Sequence, residues 1–222
     1  MPYTTTLSLL SLCIIHYNVL FAQNDNILIT KNFKFNDGIY LTLQDLQKNQ
    51  PNFSWNQVVA NLASSDEGFI VQVESIKTEE QTLDLQQVWG ICIKGMPYVR
   101  LPKEESNSTA TIFAGLRVRG KISYFSYDAV IKEMQEIKAY NPLTGRPFRT
   151  AKLPVEKQVI REKILDFNTG QIADFNKANF LSWIENDRQL WNTVRDFTEK
   201  DVEEKLFKCL LIYVDRNEIY LK

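Results

Sequence analysis

Histidine is nearly missing from this chain. The one histidine in 222 residues, His16, falls inside an N-terminal stretch that reads as a cleavable leader. Histidine is the side chain whose unperturbed pKa lies nearest neutral pH, and it is the commonest metal ligand. Without it, the remaining chain has no Ser-His-Asp or Cys-His nucleophile activation, no imidazole general base and almost no route to a zinc site. Strong charge of one sign is lacking too. Lys and Arg total 26 against 27 Asp and Glu, a formal net charge of −1. Nucleic acid and anionic lipid both select for a basic excess, so neither is expected as the main partner. Long apolar runs are absent after the leader, the longest being Cys209 to Val214. That is far short of the roughly 20 residues a membrane-spanning helix needs.

Catalytic signatures are missing as well. No serine has a lysine three residues on, and there is no phosphate-cradling loop and no G-x-G-x-x-G string. The nearest approach to an aspartic-protease triplet, Asn168-Thr169-Gly170, has an amide where the acid is needed. Tyr127 and Lys132 stand one residue too far apart for a short-chain dehydrogenase pair. No calcium-loop or metal-ligand pattern is present, and no cofactor is implied. Carboxylate-pair hydrolysis is the one large reaction class that works without histidine. The acids that could serve it, Asp66-Glu67, Glu79-Glu80 and Glu104-Glu105, read first as solvated loop residues.

The first 22 residues contain no Asp, Glu, Lys or Arg. Leu7 to Ile15 form an apolar core, and Val19-Leu20-Phe21-Ala22 ends on a small residue before the polar Gln23-Asn24-Asp25-Asn26. This order is that of a signal peptide with cleavage after Ala22. The expected organisation is therefore a signal peptide over 1–22 and one globular domain over 23–222. Cys13 follows Leu12, a residue of the wrong size for lipobox processing. Cys92 and Cys209 remain, both in apolar settings. They read as buried thiols or, in an oxidising compartment, as a candidate disulfide that only geometry can decide.

Along the domain, Thr42 and Asp45 form a capping-box pattern opening a short helix before Pro51. The middle is β-rich. Phe69–Ile76 is one strand; Gln87–Ile93 and Tyr98–Leu101 flank a hairpin turn at Lys94–Pro97; Thr111–Val118 and Ile122–Tyr127 flank a second at Arg119–Lys121. Ala129–Ile137 suits a strand, although Glu133-Met134-Gln135-Glu136 would suit a helix equally. Close spacing favours an antiparallel arrangement. Tyr140–Lys157, punctuated by Pro142, Pro147 and Pro154, reads as a long protruding loop. A strand at Lys163–Phe167 with a short return through Ile172 follows. Asn176, Asp187 and Thr198 then cap three helices, the last carrying the stripe Val202, Leu206, Cys209, Leu210 and Tyr213, before a short strand at Ile219–Leu221. The fold class is α+β: a single domain with a curved antiparallel sheet packed against C-terminal helices.

Two features stand out as candidate binding residues. Arg146, Arg149 and Lys152 give the 140–157 segment a positive field, since Glu156 is its one acid. Trp55, in a polar stretch, is the tryptophan expected to be exposed. Arg117, Arg119 and Lys121 alternate about a turn and could bind an anion, although a solvated strand face is the plainer reading.

Asp37-Gly38-Ile39-Tyr40 with Thr42 and Asp45, Val88-Trp89-Gly90, Leu165-Asp166 with Thr169-Gly170, and Asn217–Leu221 together resemble a broad set of small exported proteins of unknown function from Bacteroidota. The resemblance spans most of residues 33–222. It implies export, and it carries no catalytic residue. The expected function is an exported envelope or periplasmic protein that binds or interacts without catalysis, its partner an envelope protein or glycan. The alternatives are a carrier with an aromatic-lined cavity and a carboxylate-dependent glycan hydrolase.

Overall fold

The chain's local signals become its elements. The computed structural model describes residues 27–65, 69–103 and 110–222. The leader assigned to 1–22 and the acid pairs Asp66-Glu67 and Glu104-Glu105 lie outside the described residues. Thr42 caps α1 (Leu43–Gln47): its hydroxyl accepts from the Asp45 N–H while the Asp45 carboxylate accepts from the Thr42 N–H. Asn176, Asp187 and Thr198 likewise accept from backbone N–H groups at the starts of α2 (Lys177–Trp183), α3 (Arg188–Arg195) and α4 (Glu199–Arg216).

Six antiparallel strands make a curled sheet: β1 (Gly38–Tyr40), β2 (Val59–Ser64), β3 (Ile70–Lys77), β4 (Gly90–Ile93), β5 (Met96–Arg100) and β6 (Thr111–Gly115). Their order is β1-β4-β5-β6-β3-β2. The β4–β5 connection is the expected tight hairpin, with Lys94 and Gly95 both at positive φ (54° and 80°). That pair of angles suits the right-handed twist of the flanking strands. The turn at Arg119–Lys121 does something different. It carries the chain out of this sheet and into a second one, β7 (Ile122–Tyr140), β8 (Pro147–Asp166) and β9 (Ile172–Asp174), ordered β7-β8-β9.

Alternation along the strands builds three layers. Tyr98 and Phe113 point to one side of the six-stranded sheet, into a cluster with Ile39, Val71, Val73 and Ile91. Val99 and Ala114 point to the other, where they meet Phe125, Tyr127, Ala129 and Leu165 at the base of the β7–β8 pair. The opposite side of that base, Ile122, Tyr124 and Ile164, packs under the helices against Phe180, Leu206, Leu210 and Tyr213. The predicted stripe on α4 is therefore a core stripe. The predicted C-terminal strand is reduced to a single bridge, Leu28 to Tyr220, and Ile219 beside it is buried.

Cys92 and Cys209 do not form a disulfide. Both are free and buried, and they belong to separate clusters, Cys92 with Tyr40 and Phe167, Cys209 with Leu206 and Tyr213.

Candidate functional site

The segment expected to be a loop over 140–157 is instead the outer part of a long β-hairpin. β7 and β8 stay in one antiparallel register from Ile122↔Asp166 to Ala139↔Arg149, with a single shift at Tyr140↔Pro147. The prolines misled because they usually break strands. Here Pro142 lies in the tip turn, and Pro147 and Pro154 lie on β8, a strand with no neighbour on its outer side outward of Glu162 among the described residues. An edge strand tolerates a missing N–H. Beyond Ala129 and Val159 the pair leaves the body, and most of its side chains are exposed on both faces. From Val130 to Tyr140 it reaches about 35 Å at the usual strand rise.

The tip is a built turn. The Asn141 N–H donates to the Arg146 carbonyl at 2.9 Å and the Gly145 N–H to the Asn141 carbonyl at 2.8 Å. The Asn141 side-chain oxygen accepts from the Leu143 N–H, and Gly145 takes the left-handed φ of 63° that closes the turn. This geometry presents Leu143 at 93% exposure.

Because 122 pairs with 166 and 139 with 149, residues of like parity on the two strands share a face. The odd-numbered face carries short and aliphatic groups: Ile131, Ile137, Ala139, Ala151, Leu153 and Val155. The even-numbered face alternates charge and apolar layers. Val130 lies across from Gln158, Lys132 from Glu156, Met134 from Pro154, Glu136 from Lys152, and Lys138 from Thr150. Lys132 and Glu156 pair at 4.0 Å, Lys138 and Glu136 at 3.3 Å, and on the other face Lys157 and Glu133 at 3.8 Å. Acids thin out toward the tip. Between Glu136 and Glu156 the chain has Lys138, Arg146, Arg149 and Lys152 and no carboxylate. The structure thus groups Arg146, Arg149 and Lys152 on one projecting end, with Arg146 in the turn, Arg149 on the odd face and Lys152 on the even face.

A groove of about 630 Å³ lies at the foot of the even face. Its floor is Tyr124, Ser126, Asp128, Ile160 and Glu162, and its wall includes Phe69, Ile70 and Arg117. The Arg117 guanidinium stacks 4.2 Å above the Phe69 ring. Tyr124 donates to the Glu162 carboxylate; burial first, and then that carboxylate, push its phenol up to about 12, so it stays a donor at neutral pH. Glu162 lies opposite Ser126 and Asp128 opposite Ile160, which makes the two acids diagonal neighbours. Such neighbours have side chains about 7–8 Å apart. The groove is open on one side and walled by charge as much as by rings, so it is not the enclosed aromatic cavity a carrier would use. Periodicity could not have found it, because its walls come from β3 and the β6–β7 connection, more than forty residues from one another in sequence.

The other candidates are placed elsewhere. Trp55 is half-buried, not an exposed platform: it sits in a 3-10 turn (Trp55–Gln57), packs on the sheet's apolar cluster, and donates its indole N–H to the Cys92 carbonyl at 2.8 Å. Arg119 turns inward and donates to the Phe33 carbonyl at 2.7 Å and to the Lys31 carbonyl, while Lys121 lies over the Tyr213 ring. With Arg117 on Phe69, the three cations point to three different partners and make no common anion site. Burial pushes the Cys92 and Cys209 thiols up, so neither is an activated nucleophile. Among the described residues there is no group of three or more His, Cys, Asp or Glu that could hold a metal, and no helix long and apolar enough to cross a membrane. No family model, curated protein or solved structure matches this chain.

Proposed function

We infer that this protein is an exported, envelope-associated binding protein that engages an acidic partner through the β7–β8 arm, without catalysis. One observation carries the reading: the arm leaves the body with both faces exposed and gathers Arg146, Arg149 and Lys152 at its end. A two-stranded ribbon is marginal on its own in water, and exposed apolar groups in series mark an interaction surface. Met134, Tyr140 and Phe148 on the even face, with Leu143 at the tip, form such a series. Export rests on the uncharged apolar stretch before Ala22 and on the resemblance to small exported proteins. The partner in this reading is an acidic patch on an envelope protein, and an anionic envelope glycan is the other outcome the test distinguishes.

The test is retention of the protein on envelope membranes as salt is raised, with Arg146, Arg149 and Lys152 replaced together by Ser. The reading expects weaker retention and a shallower salt dependence in the variant, with unchanged folding. Protease treatment of the membranes separates a protein partner from a glycan. Undiminished retention by the variant would reject the arm tip as the binding element.

A second reading has one specific support. Asp128 and Glu162 are diagonal neighbours on adjacent strands of an open groove, and the separation of about 7–8 Å usual for such neighbours falls in the range of an inverting carboxylate pair. Release of reducing ends from envelope glycan by the wild type, abolished in Asp128→Asn, would favour it over the binding reading.

A further inference from the structure

Resting on the reading of the arm as an interaction device, we propose that the envelope protein whose acidic patch takes the tip is a second copy of this chain: two arms lie antiparallel, even-numbered face on even-numbered face, and each tip fills the other's groove. The charged layers on either side of the even face's midpoint are complementary to one another. Between Asp128 at the groove and Tyr140 at the tip, the central layer is Met134 with Pro154. A two-fold axis there, perpendicular to the strands, sets β7 over β7 and β8 over β8 in opposite directions. Lys132 then faces the second copy's Glu136, and Glu156 faces its Lys152. One step further out, Val130 faces Lys138 and Gln158 faces Thr150. At the next step Phe148 reaches Ile160, two apolar groups 69% and 71% exposed in the single chain. At the ends, Arg146 comes to Asp128 and Glu162.

Nothing in this arrangement depends on the arm's length, because an isologous contact brings both tips to both grooves by the same rotation. Parallel arms would place Arg146 beside Arg146 and drive the two bodies together. The odd face lacks this complementarity: from Ala129 to Ala139 its charges are Glu133, Lys157 and Arg149, and the described groove is floored mainly by even-face residues. The even face is about 40 Å long and two strands wide. Its burial hides on the order of 600 Å² per copy before the tips are counted, close to the roughly 800 Å² per partner of a standard interface. Charge layers of this kind set register and orientation more than they add affinity.

Analytical ultracentrifugation of the purified protein tests this at micromolar concentration. The wild type should sediment at twice the monomer mass. Lys132→Glu should weaken association by about tenfold or more, because it sets two acids against each other across the axis. Adding Glu136→Lys should restore it. Circular dichroism and the thermal midpoint establish that each variant is folded. Met134→Cys should be joined to its own copy by a short bis-maleimide, and Gln135→Cys, on the other face, should not. A wild type that stays monomeric, undiminished dimer in Lys132→Glu, or preferential cross-linking of Gln135→Cys would each overturn the proposal. A monomer whose envelope retention still requires the arm would overturn the pairing alone. A monomer retained without the arm would overturn the binding reading as well.

Discussion

Lys132 on β7 and Glu156 on β8 stand directly opposite one another with their charged atoms 4.0 Å apart, yet their side chains remain 73% and 67% exposed. A buried pair would hold the fold. This one sits in water, where such pairs are worth about 0–1 kcal/mol. Replacing both residues by Ala should therefore shift the urea-unfolding free energy by less than about 1 kcal/mol. A larger loss would mean that the outer arm is part of the cooperative core.

Trp55 belongs to the fold. Its indole N–H satisfies the Cys92 carbonyl at 2.8 Å while the ring covers the apolar cluster of the six-stranded sheet. Trp55→Phe keeps most of the ring and removes the donor. It should cost about 1 kcal/mol in chemical denaturation, the usual net worth of one such bond. Full stability in the variant would return Trp55 to the list of binding residues.

The C-terminal helix is the anchor of the helical layer. Leu206 is buried against Ile184, Leu190 and Tyr213 in the cluster beneath β7 and β8. Leu206→Asp places an unpaired charge there and should lower stability by about 3 kcal/mol or abolish cooperative unfolding. A thermal midpoint unchanged within a degree or two would show that this stripe does not face the core.

Stability should fall in acid through the same helix. The Lys205 ammonium, 2.6 Å away, and the Thr198 hydroxyl and N–H hold the Asp201 carboxyl well below the usual carboxylate range. Its folded pKa is depressed, so its contribution is fully present above the unfolded value, about 4, and is lost as pH falls through the folded value. Asp201→Asn should thus be less stable than the wild type at neutral pH, with the gap closing as pH drops below about 4. Urea midpoints for the two proteins across that range check it, and a gap independent of pH would contradict it.

Local chemistry was legible in the chain and long-range placement was not. Thr42 with Asp45, Thr198 with Asp201, Asn176 and Asp187 each announce a helix start within four residues, and each is found capping one. Lys94-Gly95 announces its turn in the same way. The turn at Arg119–Lys121 was equally visible, but nothing local says that its two flanking strands join different sheets. The arm was legible only in part: the strand reading of Ala129–Ile137 falls within β7, while the return strand was lost to composition. Its strands bury neither face, so no single hydrophobic period marks them, and Glu133-Met134-Gln135-Glu136 has the propensity of a helix. Pro147 and Pro154 then hid β8. The cationic cluster was visible as a list of residues, and its acidic counterpart, Asp128 with Glu162, appears only once Ser126 and Ile160 are seen across the ladder from them.

The arm as the binding element is tested most directly by removing it. Replacing residues 132–156 by an Asn-Gly turn closes the hairpin at Ile131↔Lys157, outward of every buried residue on the two strands. Co-sedimentation with envelope membranes, measured beside the thermal midpoint, gives the result. The account expects a folded protein with a midpoint within a few degrees of the full chain and no retention on the envelope. A shortened protein retained as firmly as the full chain would contradict it.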